Sequence, residues 1–151
     1  MAQSLSQVYL HVVFSTKLRE PLLKPKRLRM DVHSYMAATL NNLKCTAITV
    51  GGIEDHVHFL CRLGRNVKIA ELIRDVKKAS SGMLHDRSAA LRDFHWQAGY
   101  GAFSISPSHV AAVTSYIRNQ EEHHRRVGFQ DEYRRLLKKY EIEYDERYVW
   151  D

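Results

Sequence analysis

Residues 53–60 (Ile-Glu-Asp-His-Val-His-Phe-Leu) constrain this chain more than any other stretch. Val57, Phe59 and Cys61 alternate with His56, His58 and Leu60. That is the period of a β-strand, whose successive side chains point to opposite faces. His56 and His58 therefore share one face, close enough for both imidazoles to reach one metal ion. A second stretch, Tyr116-Ile117-Arg118-Asn119-Gln120, lies in a helical pattern and makes Tyr116 and Gln120, at i and i+4, neighbours on one helix face. Neutral imidazole is a common ligand for divalent transition metals, and the Gln120 amide oxygen can serve as a third, hard donor. A phenol with a pKa near 10 is a poor nucleophile unless a nearby cation favours the phenolate and polarises a phosphate. These are the parts of a metal-assisted phosphoryl-transfer site.

The rest of the chain limits what that site can serve. A chain of 151 residues is one domain's worth, read as a single unit over 1–151. No apolar run approaches the roughly 20 residues of a membrane span. The N-terminal residues Met1 to Ser4 show no charged-then-apolar signal pattern. Cys45 and Cys61, the two cysteines, make no disulfide framework and read as small core residues in a reducing, cytoplasmic compartment. The net charge of +6 and pI near 9.4 favour a polyanionic partner. The candidate contacts fall in three groups: Lys17 and Arg19 in a loop that also holds Lys24 and Lys26, a helix face with Lys68, Arg74, Lys77 and Lys78, and the pair Arg125 and Arg126. Tyr9, Trp96, Tyr100 and Phe103 could stack unpaired bases, although aromatic strand residues more often fill a core. A Gly-rich phosphate loop, a serine elbow and a Cys-x-x-Cys pair are all missing, and nothing points to a nucleotide cofactor.

In chain order, residues 7–16 read as a strand, 17–26 as a loop with Pro21 and Pro25, and 28–43 as an amphipathic helix. Residues 45–50 read as a second strand, Gly51-Gly52 as a tight connection, and the His56 strand as a third, ending near Gly64. Ile69, Leu72, Ile73, Val76, Ser80 and Met83 mark a second helix, with residues 82–92 a frayed end and a loop. Residues 95–104 read as a fourth strand, where Gly99 and Gly101 signal a bulge or a close backbone approach. Ser106-Pro107 starts a third helix carrying Tyr116 and Gln120, with Gly128 as its stop and His123 and His124 at a solvated end, as rival ligands. A fourth helix turns Phe129, Tyr133, Leu136, Leu137 and Tyr140 inward, and a tail, residues 141–151, keeps Tyr144, Tyr148 and Trp150 and is expected to pack on the rest of the chain. The order β-α-β-β-α-β followed by helices predicts an α+β fold: a ferredoxin-like split βαβ antiparallel sheet with helices on one face plus C-terminal helices.

Several short motifs together carry a resemblance. They are residues 13–17 (Val-Phe-Ser-Thr-Lys), Gly51-Gly52 through His58, Trp96-Gln97-x-Gly99-Tyr100-Gly101-x-Phe103, Tyr116-Ile117-x-Asn119-Gln120-x-x-His123-His124, and residues 143–148 (Glu-Tyr-Asp-Glu-Arg-Tyr). In these the chain resembles the HUH single-tyrosine transposases, the smallest insertion-sequence transposases and the REP-associated tyrosine transposases. The resemblance implies that His56, His58 and Gln120 hold Mg²⁺ or Mn²⁺. It implies that Tyr116 cuts single-stranded DNA to give a 5′-phosphotyrosine and a free 3′-OH that later rejoins strands. It also implies recognition of DNA hairpins, by the basic groups above, and a homodimer. Two other classes keep the same residues in play: a non-catalytic nucleic-acid-binding module of the same fold, and a metal phosphodiesterase using water. A domesticated REP-associated copy is the variant of the first reading.

Overall fold

The chain threads one antiparallel sheet of four strands in the order β2-β3-β1-β4; the computed structural model describes residues 2–151. The strands are β1 Tyr9–Ser15, β2 Thr46–Ile53, β3 His56–Arg62 and β4 Gly101–Ile105. Helix α1 (Lys26–Asn42) joins β1 to β2, and α2 (Ile69–Arg87) joins β3 to β4. This is the split βαβ arrangement the sequence order predicts. Helices α3 (Val110–Arg118), α4 (Gln120–His123) and α5 (Phe129–Lys139) follow.

Period-two alternation sorts the strands into two faces. Leu10, Val12 and Phe14 of β1 and Val57, Phe59 and Cys61 of β3 pack with Val32, Met36 and Leu40 of α1 and Leu72, Ile73 and Val76 of α2 into the main apolar core. Both cysteines lie in it, unbonded. The opposite face carries His11, Val13 and Ser15 of β1, with Val13 opposite His58 and Ser15 opposite His56. Two smaller apolar clusters cover that face. One joins Val13 and Phe103 to Phe129, Tyr133 and Leu137 of α5. The other joins Leu60 and Ile105 to Ile117 of α3. The C-terminal helices thus close over the histidine side.

Some boundaries differ from those predicted. Residues 82–87 continue α2 and are followed by a 3-10 turn, Ala89–Leu91. The fourth strand begins at Gly101, not 95, because the backbone before it is bonded elsewhere. Trp96 makes only an isolated bridge to Thr16, the Gly99 amide donates to the Asp151 carbonyl, and the Lys77 ammonium takes the carbonyls of Gln97, Ala98 and Gly99. The third helix breaks at Asn119. Gly128 is extended, at φ −71° and ψ 159°, and stands at the start of α5 instead of stopping the preceding helix. The tail packs as expected through Val149 and Trp150.

Candidate active site

Two glycines let the functional helices reach the sheet. A methyl on Gly51 would sit 2.4 Å from the Ile117 carbonyl oxygen, so only glycine opposite His58 admits the end of α3. At Gly101 the added carbon would lie 2.7 Å from the Tyr133 ring, so the start of β4 leaves room for α5. These close approaches carry Tyr116, Gln120 and Glu132 to the histidine face.

His56 and His58 are fully buried. His56 Nδ1 is 2.7 Å from Asp55 Oδ1, and His58 Nδ1 is 2.8 Å from His11 Nε2. Each ring is thereby held by its Nδ1 side, as ligand imidazoles usually are, and both Nε2 atoms face a common centre. Gln120 Oε1 lies 3.1 Å from His56 Nε2 and 2.8 Å from His124 Nε2. The predicted set His56, His58 and Gln120 is therefore brought together.

The residue at the centre is one the sequence reading missed. Glu132 of α5 is 2% exposed, and its two oxygens face different partners. Oε1 lies 3.0 Å from His58 Nε2, 3.2 Å from His124 Nε2 and 3.4 Å from His56 Nε2. Oε2 accepts from the Tyr116 hydroxyl and, at 3.1 Å, from Gln120 Nε2. His123 Nε2 is also 3.1 Å from Oε2 but lacks hydrogen-bond geometry. His124, expected at a solvated helix end, is instead drawn into the cluster. The signal for Glu132 was available: it occupies the apolar stripe of α5 beside Phe129, Tyr133 and Leu136, where an acidic side chain is out of place.

The electrostatics follow from burial and this carboxylate. Burial opposes a charge on His56, but hydrogen bonds to Asp55 and Glu132 outweigh it and raise its pKa to about 9. Burial keeps His58 below its ordinary value, and burial beside His58 pulls His11 down to about 3. Burial also opposes a charge on Glu132, yet the surrounding imidazoles hold it well below the carboxylate range. Burial, reinforced by Glu132, pushes the Tyr116 phenol up, so the hydroxyl keeps its proton in this arrangement. Donor atoms of His56, His58, His124 and Glu132 all lie within 4.8 Å of one another, a buried nitrogen and carboxylate set that can hold a metal ion.

The basic residues are more dispersed. Lys17 and Arg19 follow the end of β1 that pairs with His56, and Arg19 lies over the Trp150 ring. Arg125 and Arg126 are exposed beyond α4. Lys68 just before α2 and Arg74 and Lys78 on it are exposed, across the sheet from the histidines. Lys77 is bound to its three carbonyls and rests over Phe14. Of the aromatic candidates, Trp96 and Phe103 are core, whereas Tyr100 is 39% exposed.

A split βαβ sheet thus carries paired imidazoles on one face and is closed there by a helix bearing a tyrosine. The sequence model of the family described as Transposase IS200 like matches residues 4–120, and the chain belongs to that family of DNA-cleaving enzymes. Among solved structures, the chain is similar to a candidate transposase from Deinococcus radiodurans R1, at 17% identity and a TM-score of 0.62, covering 80% of this chain and 95% of that one. It is also similar to a REP-associated tyrosine transposase bound to a REP hairpin, at 13% identity and a TM-score of 0.58, covering 82% of this chain and 74% of that one. Both likenesses are of fold. The comparison with curated proteins gave no match.

Proposed function

We propose that this protein, acting as one catalytic unit over residues 1–151, is a metal-dependent single-stranded DNA endonuclease and strand transferase with Tyr116 as its nucleophile. One observation carries the reading: Glu132 touches the Tyr116 hydroxyl with one oxygen and the His56, His58 and His124 imidazoles with the other, inside a single chain. The phenol and the imidazole pair thus meet inside one chain, which supports a site assembled in cis.

His56, His58 and Glu132, with Gln120 Oε1 and His124 alongside, would hold the divalent ion. Bound there, it would orient the scissile phosphate and offset its developing charge. The ion the resemblance implies is Mg²⁺ or Mn²⁺, for which the carboxylate and amide oxygens of Glu132 and Gln120 are the natural donors beside the imidazoles. Asp55 and His11 fix the ring orientations. In the cleavage step the Tyr116 oxygen bonds to phosphorus, the P–O3′ bond breaks, and the phenolic proton, which Glu132 Oε2 orients by accepting its hydrogen bond, is lost to solvent. The leaving 3′-oxygen takes a proton from solvent. Rejoining is the reverse: a 3′-OH displaces Tyr116, which recovers its proton, so the bond energy is conserved and no nucleotide is consumed. The hairpin bound by the REP-associated neighbour supports DNA hairpins as partners here, with Lys17, Arg19, Arg125 and Arg126 as the contacts nearest in the chain to the site, and Lys68, Arg74 and Lys78 as contacts for DNA that wraps the sheet.

The test uses single-stranded oligonucleotides tiled across the DNA flanking the gene, incubated with protein and Mn²⁺. Wild-type protein should give a protein–DNA adduct that survives denaturing gels. Tyr116→Phe should retain binding and give none. An adduct persisting in Tyr116→Phe, or turnover with no adduct from wild type, refutes the assignment.

A further inference from the structure

Beside the phenol a cleft of about 640 Å³ opens to solvent, within the roughly 300–1,000 Å³ of small-molecule sites. Its apolar lining includes Ile105 of β4, Val113 of α3 and Tyr140 at the end of α5. The Tyr140 ring is already fixed by stacking on Phe103, with centroids 4.7 Å apart. Arg135 and Lys139, one turn apart on α5 and both exposed, also line it. Neither is ion-paired among the described residues, whereas Arg134 on the same helix is bridged to Glu146 and Asp131. Lys139 rests over the Tyr140 ring at 5.7 Å, a contact weak enough to yield to a phosphate. Tyr116 and Glu132 form the inner end.

A lining that combines apolar side chains with two unpaired cations matches a ligand with one flat apolar part and one anionic part, which is the chemistry of a nucleotide. Taking the proposed strand transfer as given, stereochemistry selects which nucleotide. In an in-line displacement the leaving oxygen lies opposite the attacking one. The departing 3′-oxygen is therefore on the far side of phosphorus from Tyr116 while the retained 5′-oxygen is equatorial, so of the two nucleotides it is the retained one that can lie beside the phenol. We infer that this cleft binds the first unpaired deoxynucleotide 3′ of the scissile phosphate, its base against Ile105, Val113 and Tyr140 and its 3′-phosphate on Arg135 and Lys139.

Two measurements test this. Where the tiled oligonucleotides give an adduct, sequencing it locates the break, and an abasic site is then placed on either side. The abasic site immediately 3′ should lower kcat/KM for adduct formation about tenfold, the size of one base–aromatic stack; the one immediately 5′ should change it less than twofold. R135Q/K139Q should raise KM and flatten the log–log salt dependence by about 0.7 per lost phosphate contact. Equal losses on both sides, or no effect of the 3′ site and of the double variant, overturn the cleft while leaving the nucleophile intact. Independently of cleavage, Tyr116→Phe protein is irradiated with a 5-iododeoxyuridine dodecamer and the crosslinked peptide is mapped. A crosslink at Tyr140 supports the cleft; crosslinks only elsewhere, or none, overturn it. A Tyr140 crosslink without any wild-type adduct retains the cleft as a nucleotide site and sinks the strand-transfer reading alone.

Discussion

The two faces of the sheet are built from the same strands and do opposite work. On the α1/α2 side, Phe14, Val57 and Phe59 are fully buried in an apolar core, where stability is set by packing. On the α3–α5 side, the intervening residues His11, His56 and His58 are just as buried but meet Glu132, Gln120 and Tyr116. A one-residue step along β3 separates side chains that hold the fold from side chains that hold its chemistry. The difference teaches that burial alone does not mark the core: on the second face it lowers the pKa of His11, while at His56 the Asp55 and Glu132 carboxylates overcome it and raise the pKa.

The sharpest way to break this contrast is to empty one face at a time. Phe59→Ala should cost about 3–5 kcal/mol, read in urea unfolding, and leave the stoichiometry of Mn²⁺ binding unchanged in the protein that remains folded. Glu132→Gln should also destabilise the metal-free protein, because it removes the buried carboxylate that His56, His58 and His124 share and leaves Asp55 as the one carboxylate on His56. Unlike Phe59→Ala, it should also weaken Mn²⁺ binding, measured by EPR or calorimetry, by at least about 10–100-fold. If Glu132→Gln bound Mn²⁺ as tightly as wild type, the carboxylate would be a structural acceptor only.

A smaller effect sharpens the comparison through pH. His11 titrates near 3 in the folded protein and near 6.5 when unfolded, so the unfolded chain binds the extra proton between those values. The stability it contributes is complete above pH 6.5 and is lost as pH falls toward 3, by up to about 1.4 kcal/mol per unit. His33 on α1, pulled down to about 4 by burial near Arg29, acts with the same sign. His56 acts with the opposite sign: raised to about 9, it stabilises the metal-free protein below pH 6.5 and loses that contribution as pH rises through 9. Urea midpoints of the metal-free protein between pH 4 and 9 should therefore fall at both ends, and His11→Gln should flatten the acid limb. Because a metal must displace the His56 proton, Mn²⁺ affinity should rise with pH up to about 9.

The smallest effect concerns spacing. Gly51→Ala needs the Ile117 carbonyl to retreat from an added carbon only 2.4 Å away. It should cost about 1–3 kcal/mol and lower adduct formation through displacement of Gln120, whereas Gly82→Ala, with open space around it, should do neither.

What could be read from the sequence was whatever one element places together. His56 and His58 share a strand face, Tyr116 and Gln120 sit about a turn apart at the end of one helical stretch, and the apolar alternation of β1 and β3 gave the sheet. Contacts between distant segments left weaker traces. His11 reaches His58 from 47 positions away, and Glu132 reaches it from 74; spacing cannot join them, although Glu132's place in an apolar stripe hinted at a buried role. The start of β4 was overread for a related reason: Lys77 and Asp151 take backbone groups that the local pattern would have given to a ladder.

The account stands most directly on the site being complete within one chain, and mixing two defective proteins measures that. Tyr116→Phe lacks the nucleophile and His58→Ala lacks a ligand, so each alone should give no adduct with an oligonucleotide that wild type cleaves in Mn²⁺. A cis site predicts that the equimolar mixture, refolded together, also gives none. An adduct appearing on the denaturing gel from the mixture would show Tyr116 of one copy working on the imidazoles of another, and would contradict the account.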